Sequence, residues 1–399
     1  MKITGITAYA IRIPRDITAA HGTAGSPSRL IPGKSTYRFA ENYQTIYSTM
    51  IETALVRVET DTGLTGWGEA QSPVAPEVVV TIVETILGPL LIGEDPRAHE
   101  RLWARMYSAM RVRGHTGSFL LDAIAGIDTA LWDIKGKHLG VPVCELLGGP
   151  FGIALPAYIS GLAGSTVGAR VASAVDYQQR GFNAFKIFMD ETPESILDLH
   201  DQLREGLGPG ARIMIDALWR LDLGEAIQLG RELDERRATW LEAPLKPEDV
   251  TGHARLAAAI DTPVAIGESW RTRWEMKPFF ETGGVETYQP DIGRSGITEG
   301  MKLCALAELY NVKVALHVSI GLGIQIAAAI HVAAAIPNLL YIECNPQVWM
   351  VAERLLKCRL PVGQGNIGLP AGPGLGVEID ETELHQLITL TSGARHDEE

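Results

Sequence analysis

The sequence predicts an α/β protein: a TIM-type barrel preceded by a smaller α+β cap. Two observations carry this. After Gly149-Pro150, short apolar runs alternate with helix-length segments eight times, and each unit has the size of one strand-helix repeat. Three successive runs, Arg212-Ile213-Met214-Ile215-Asp216, Trp240-Leu241-Glu242 and Pro263-Val264-Ala265-Ile266-Gly267-Glu268, each end in a carboxylate. Parallel strands in a barrel place such ends side by side on one face.

The cap comes first, over residues 1–140. Alternating apolar residues from Lys2 to Arg12 predict a strand, and Thr53 to Glu59 with Gly66 to Glu69 predict a hairpin across Asp61-Thr62-Gly63. Between them, Ile17 to Asn42 is polar and rich in Gly and Pro, which predicts a long loop or lid. Helices are expected at Pro76 to Leu90, Ala98 to Met110 and Ser118 to Leu139. The barrel is expected over residues 141–360, with strands at Pro156–Ser160, Ala184–Phe188, Arg212–Ala217, Thr239–Glu242, Pro263–Glu268, Thr287–Asp291, Lys313–His317 and Leu340–Cys344. Intervening helices include Pro193–Leu207, Leu223–Glu235, Ile297–Tyr310 and Leu322–Ala335. The segment 361–399 is Gly- and Pro-rich before a short helix from Glu381, and is expected to pack back on the cap.

Composition narrows the partners. The 399 residues are 46% hydrophobic and carry a formal net charge of -13, which disfavours nucleic acid and anionic membranes because both attract basic patches. No apolar stretch reaches membrane-spanning length, and the start of the chain has no long apolar segment of the secretory kind. Cys144, Cys304, Cys344 and Cys358 lack paired spacing, as in a reducing compartment. A cytoplasmic protein is expected, in a homo-oligomer as is usual for soluble enzymes.

The strand ends carry the chemistry. A lone acid after a strand is usually a helix N-cap, but Asp216, Glu242 and Glu268 recur at a spacing of about 26 residues. Three such carboxylates repel one another unless a cation offsets them, and hard oxygens suit Mg2+ or Mn2+. The other strand ends supply Lys186, Asp291, His317 and Glu343. An Asp291–His317 hydrogen bond would fix the imidazole tautomer and raise its basicity, fitting it to take a proton alpha to a carboxylate. Glu343 is expected near the substrate carboxylate, donating a hydrogen bond if burial keeps it protonated. In the cap loop, His21, Arg29, Lys34, Tyr37 and Arg38 are candidates to grip the distal carboxylate of a diacid, against the plainer expectation of a solvated lid.

The ladder Asp216, Glu242, Glu268, Asp291, His317, Glu343 resembles the mandelate racemase subgroup of the enolase superfamily. The segments from Ala125 to Lys137, Gln289-Pro290-Asp291 and Gly372 to Gly376 are similar to family segments as well. The resemblance implies a modified (β/α)7β barrel under an α+β cap, one Mg2+ and proton abstraction alpha to a carboxylate, commonly with loss of water from an acid sugar. It implies that Asp216, Glu242 and Glu268 hold the metal, and that Lys186 contacts the substrate carboxylate. Two departures stand out. Phe188 replaces the second lysine of a common Lys-x-Lys, which removes a base from the opposite substrate face. Leu218 stands where Asp-x-Asn is common, which makes that wall more apolar. With one base retained, dehydration is expected, with lactone cycloisomerisation, epimerisation or a lapsed metal-binding relative as alternatives.

Overall fold

The computed structural model describes residues 1–14, 28–33, 36–41, 44–189, 192–318 and 320–396. Strand β1 (Ile3–Pro14) leads to a small antiparallel sheet of β2 (Ser28–Leu30), β3 (Tyr37–Ala40) and β4 (Thr45–Ser48). The chain continues into β5 (Met50–Thr60) and β6 (Thr65–Ala70), which complete a second sheet in the order β1-β5-β6. The predicted hairpin is therefore present, with Val56 opposite Gly68 and Glu59 opposite Thr65. The predicted structureless loop is corrected. Within its described part Tyr37 pairs with Ser48 and Phe39 with Ile46 of the strand that follows, in strands too short to leave a periodic signal.

The cap helices lie close to their expected positions. Pro76–Ile82 passes into a π turn at Val83–Leu87 and a tight turn at Gly88–Leu90, and is followed by helices His99–Arg111 and Phe119–Leu139. The last of these presses onto β6. A Cβ on Gly66 would stand 2.2 Å from the Ala130 carbonyl oxygen and one on Gly68 1.8 Å from that of Gly126, so only glycine allows this approach.

Three buried aspartates on helix Phe119–Leu139 tie the cap to the rest of the chain. Arg271 grips Asp122 with two hydrogen bonds, at 2.7 and 3.1 Å. Asp128 accepts from the Thr298 backbone at 2.8 Å and its hydroxyl at 2.6 Å. Asp133 accepts from Trp67 and Leu375 backbones, both at 3.0 Å, and from Lys137 at 2.6 Å. The segment from Ala125 to Lys137 thus has a structural use: buried carboxylates need such partners.

The barrel consists of β7 (Ala154–Ser160), β8 (Ala184–Phe188), β9 (Arg212–Asp216), β10 (Leu241–Glu242), β11 (Val264–Ile266), β12 (Thr287–Tyr288), β13 (Lys313–Leu316) and β14 (Leu339–Cys344). All eight are parallel. The ring closes where Glu343 pairs with Tyr158, and β15 (Asn366–Gly368) adds antiparallel to the start of β7. Seven helices stand between the eight strands, giving the (β/α)7β order. Several are started by side chains: Thr192, Asp222 and Thr272 each close a capping box. Helix Ile292–Leu309 begins five residues before the predicted start, because a break at Gly296, with φ of 71°, masks its first turn. The final helix, Glu381–His396, packs against β1.

Inside the barrel, Tyr158, Ala184, Met214, Trp240, Ala265 and Ala315 form a buried layer. Side chains on a strand alternate, so residues two positions further along point inward again, one layer nearer the strand C-termini. Those residues are Ser160, Lys186, Asp216, Glu242, Gly267 and His317. The polar site is the layer stacked on this plug. Among the described residues no helix is long and apolar enough to cross a membrane, and all four cysteines are free.

Candidate active site

The structure brings all seven predicted residues into one connected network. Lys186, 1% exposed, lies 2.6 Å from Glu242, 3.3 Å from Glu343 and 3.7 Å from Asp216. His317 Nδ1 lies 2.7 Å from Asp291 Oδ2, while Nε2 lies 2.9 Å from Glu268 Oε2 and 3.7 Å from Glu343 Oε2. Asp216 and Glu242 are neighbours in strand register. Glu268 is three residues beyond the plug residue Ala265 rather than two. Gly267, with φ of 155°, takes up that extra step, where a Cβ would stand 2.5 Å from the Gln289 nitrogen.

Each carboxylate is held by donors. Glu242 accepts from Lys186, from Trp240 Nε1 at 3.0 Å and from Gln289 Nε2 at 2.7 Å. Asp216 accepts from the Leu218 backbone at 2.9 Å, and Glu268 from Trp219 Nε1 at 3.0 Å. Asp291 caps its helix through Gly293, at 2.8 Å, with the oxygen His317 does not use. Asp291 is thus both the N-cap of its helix and the hydrogen-bond partner of His317. Leu218, Trp219 and Ala243 all have positive φ, so backbone strain is concentrated at these strand ends.

Charge is unevenly compensated. Burial, then the charge of Glu242, push the Asp216 carboxyl well above the usual range, with Lys186 opposing and Glu268 adding to the rise. Burial alone would lower the Lys186 ammonium, but Glu242 and Glu343 hold it well above its usual value. Burial likewise opposes the imidazolium of His317, and Glu343, Glu268 and Asp291 outweigh it. Burial would raise Glu268; His317 instead holds it well below the carboxylate range.

Glu343 requires a correction. It was expected to stay protonated and donate. Burial does push it up, but Lys186 and His317 win and hold it below the usual range, and its Oε2 accepts from the Val318 backbone at 2.9 Å. It is an ionised acceptor.

Above this layer lies a cavity of about 990 Å3 between cap and barrel mouth. Lys186, Asp216, Glu268, His317 and Glu343 form its floor; Phe188, Leu218 and Trp219 give it an apolar wall; Ile46, Met50, Ile51 and Val74 cover it from the cap. The expected apolar side at Leu218 is thus present. The cap-loop candidates fare differently. Arg29 pairs with Glu41 at 2.7 Å, and the Tyr37 hydroxyl donates to Glu52 at 3.0 Å and accepts from Ala75 at 2.9 Å. Neither they nor Arg38 line the cavity, and His21 and Lys34 lie outside the described residues.

The sequence reading missed Ser160, Trp219, Gln289 and Arg294. The alternation rule would have found Ser160, a buried hydroxyl beside Glu343 that lines the cavity. Gln289 lies two residues beyond Thr287 in the same way. Nothing local marks Trp219 or Arg294.

The donor set is that of a hard divalent cation: three carboxylates on consecutive strand ends, with more acid nearby than Lys186 and His317 offset. Among the described residues, however, no three His, Cys, Asp or Glu side chains stand already grouped at ion-coordinating spacing. The reason is visible in the contacts. Lys186 and His317 themselves occupy oxygens of Glu242 and Glu268.

Comparison with known proteins identifies the family and fold. Residues 39–148 match the mandelate racemase / muconate lactonizing enzyme N-terminal domain, and residues 169–383 match the enolase C-terminal domain-like family. The chain is 37% identical to D-galactarolactone cycloisomerase of Agrobacterium fabrum, over 83% of this chain and 89% of that protein. It is 36% identical to a D-galactonate dehydratase of Xanthomonas oryzae, over 85% and 92%. A crystal structure of an enolase superfamily member from Agrobacterium tumefaciens superposes with a TM-score of 0.91 at 34% identity, covering 96% of this chain and 98% of that one. With both domain matches in sequence order over a closed barrel, this chain belongs to the mandelate racemase / muconate lactonizing enzyme family of the enolase superfamily.

Proposed function

We propose that this chain removes the proton alpha to the carboxylate of an acid sugar and eliminates water to give a 2-keto-3-deoxy acid. The observation that carries the reading is the His317–Asp291 pair. With Nδ1–H donated to Asp291, His317 carries its lone pair on Nε2, at the cavity floor, once it has given up the proton that Glu268 and Glu343 favour there. In the proposed step Nε2 takes the alpha proton, and the C–H electron pair forms an enolate. The C–O bond at the next carbon then breaks, and the imidazolium returns its proton to the departing hydroxyl as water. The enol so formed ketonises. Phe188 supplies no base on the other face, so one group acts twice. Lys186 is placed to bind the substrate carboxylate. Glu343, as an ionised acceptor beside both cations, orients them.

Asp216, Glu242 and Glu268 would hold one Mg2+, or Mn2+ in its place. Bound there, the ion stabilises negative charge developing on the substrate carboxylate as a Lewis acid. The support is the hard-oxygen donor set and the uncompensated acid expressed in the elevated Asp216. The reading carries with it a small carboxylate substrate, no nucleic-acid or membrane partner, and a cytoplasmic homo-oligomer. The net charge of -13 and the four free cysteines support it.

A screen of aldonic, uronic and aldaric acids with Mg2+, read as 2-keto product, tests the proposal. At least one acid should be dehydrated, and His317→Asn should abolish that turnover; a complete library without product or alpha-deuteration in D2O would overturn it. The same single base favours one second reading, opening of an acid-sugar lactone. There the leaving group is a carboxylate and needs no proton. Consumption of an aldarate lactone with no dehydration of free acids would select it.

A further inference from the structure

The far end of the substrate needs a partner, and of the cap-loop side chains expected there the described ones, Arg29, Tyr37 and Arg38, do not line the cavity. Four cations do line it: Lys186, Lys246, Arg294 and His317. Lys186 and His317 are spent on the acid cluster. Lys246 is exposed, with a flexible stem and water around its ammonium.

Arg294 is different. It follows Asp291 by three residues, in the first turn of helix Ile292–Leu309, and is only partly exposed. Its Nε donates to the side-chain oxygen of Gln71 on the cap, and the Gln71 backbone donates to Gly293 at 2.9 Å. The guanidinium is therefore fixed along one edge by a neutral amide. Among the described residues its two terminal nitrogens make no hydrogen bond and it forms no ion pair. A preorganised, partly dried guanidinium with its fork unused is a receptor for a carboxylate. Its charge is felt by Glu268 and Asp122, but neither carboxylate pairs with it directly.

We propose that Arg294 binds a second carboxylate of the substrate, so that the site selects acid sugars with a carboxylate at both ends, aldarates or their lactones, over aldonates ending in a neutral hydroxyl. The inference rests on the acid-sugar reading above and names its substrate class. Gln71 acts as a positioning residue for it.

The test compares aldarate and aldonate pairs of galacto, gluco and manno configuration, with Mg2+ present. Binding is read by calorimetry and turnover by kcat/KM, for the parent chain, Arg294→Gln, Arg294→Lys and Lys246→Gln. The parent should favour the aldarate of its accepted configuration. Arg294→Gln should cut that preference by roughly 10- to 100-fold, the worth of a hydrogen bond to a charged group, through the aldarate arm alone. Arg294→Lys should restore part of it, and Lys246→Gln should leave it intact. Equal binding of both acids by the parent, a preference that survives Arg294→Gln, or one lost in Lys246→Gln instead, would overturn the assignment while leaving the acid-sugar reading standing. Absence of binding by every pair would overturn both.

Discussion

His317 and Asp291 are joined twice: their backbones pair as parallel neighbours at adjacent strand ends, and their side chains meet at 2.7 Å. The backbone pairing sets the distance, and the Gly293 amide on the other oxygen sets the direction of the carboxylate. His317→Asn should lower turnover by roughly 1000-fold, within the range for loss of a general base. Asp291→Asn should also lower it, because the amide no longer holds the imidazole tautomer. Solvent deuterium incorporation at the alpha carbon checks both; exchange persisting at the parental rate in His317→Asn would remove it from the role of base.

Trp219 holds one oxygen of Glu268, one of the proposed metal ligands, and outer partners of this kind fix a ligand's orientation. Mg2+ should raise the melting temperature of the parent, and Asp216→Asn should abolish that rise. Trp219→Phe should shift the Mg2+ dependence of the melting temperature to roughly tenfold higher concentration. Chelation should silence turnover and added Mg2+ restore it.

The Asp128 carboxylate, buried between cap and barrel, accepts two hydrogen bonds from Thr298, whose hydroxyl in turn accepts from Trp132 at 2.9 Å. Burial pushes its pKa up to about 7. Asp128→Ala leaves the Thr298 amide unpaired and should cost on the order of 3 kcal/mol of unfolding free energy, with Asp128→Asn costing less. Urea denaturation midpoints give the comparison. Midpoints equal to the parent's would show that the clamp adds nothing.

His331 is fully buried, accepts from the Cys144 backbone at 3.3 Å, and is lowered by burial to about 4. Unfolded, it titrates near 6.5. Between these values the unfolded chain holds the extra proton, so the contribution of neutral His331 is present above about pH 6.5 and is lost as pH falls toward 4. The loss should reach on the order of 3 kcal/mol. His331→Gln should flatten the stability profile in that window relative to the parent. Parallel profiles would place the acid sensitivity elsewhere.

The sequence was legible where local rules apply. Helix Pro193–Leu207 carries its own start signal in Thr192 and falls where its pattern places it. Helix Ile292–Leu309 leaves helical geometry at Gly296, beside Asp128, so the expected start at Ile297 is where its longer stretch begins and only the short turn before the break was not legible. The strands of the small cap sheet were missed because runs of three or four residues are too short to establish a period, and only their partners reveal them.

By itself the sequence determined the barrel, the shared polarity of its strands and hence the side on which Lys186, Asp216, Glu242, Glu268, Asp291, His317 and Glu343 emerge. Strand alternation and the βα repeat are local in the chain, so they can be read without contacts. Only the tertiary structure decided that Glu343 is an ionised acceptor, that Trp219 holds Glu268, that Tyr37 is bound to Glu52 rather than facing the cavity, and that Arg294 keeps its fork unused. Those outcomes depend on which charges and donors from distant segments share a low-dielectric space, and the linear spacing of residues does not encode that.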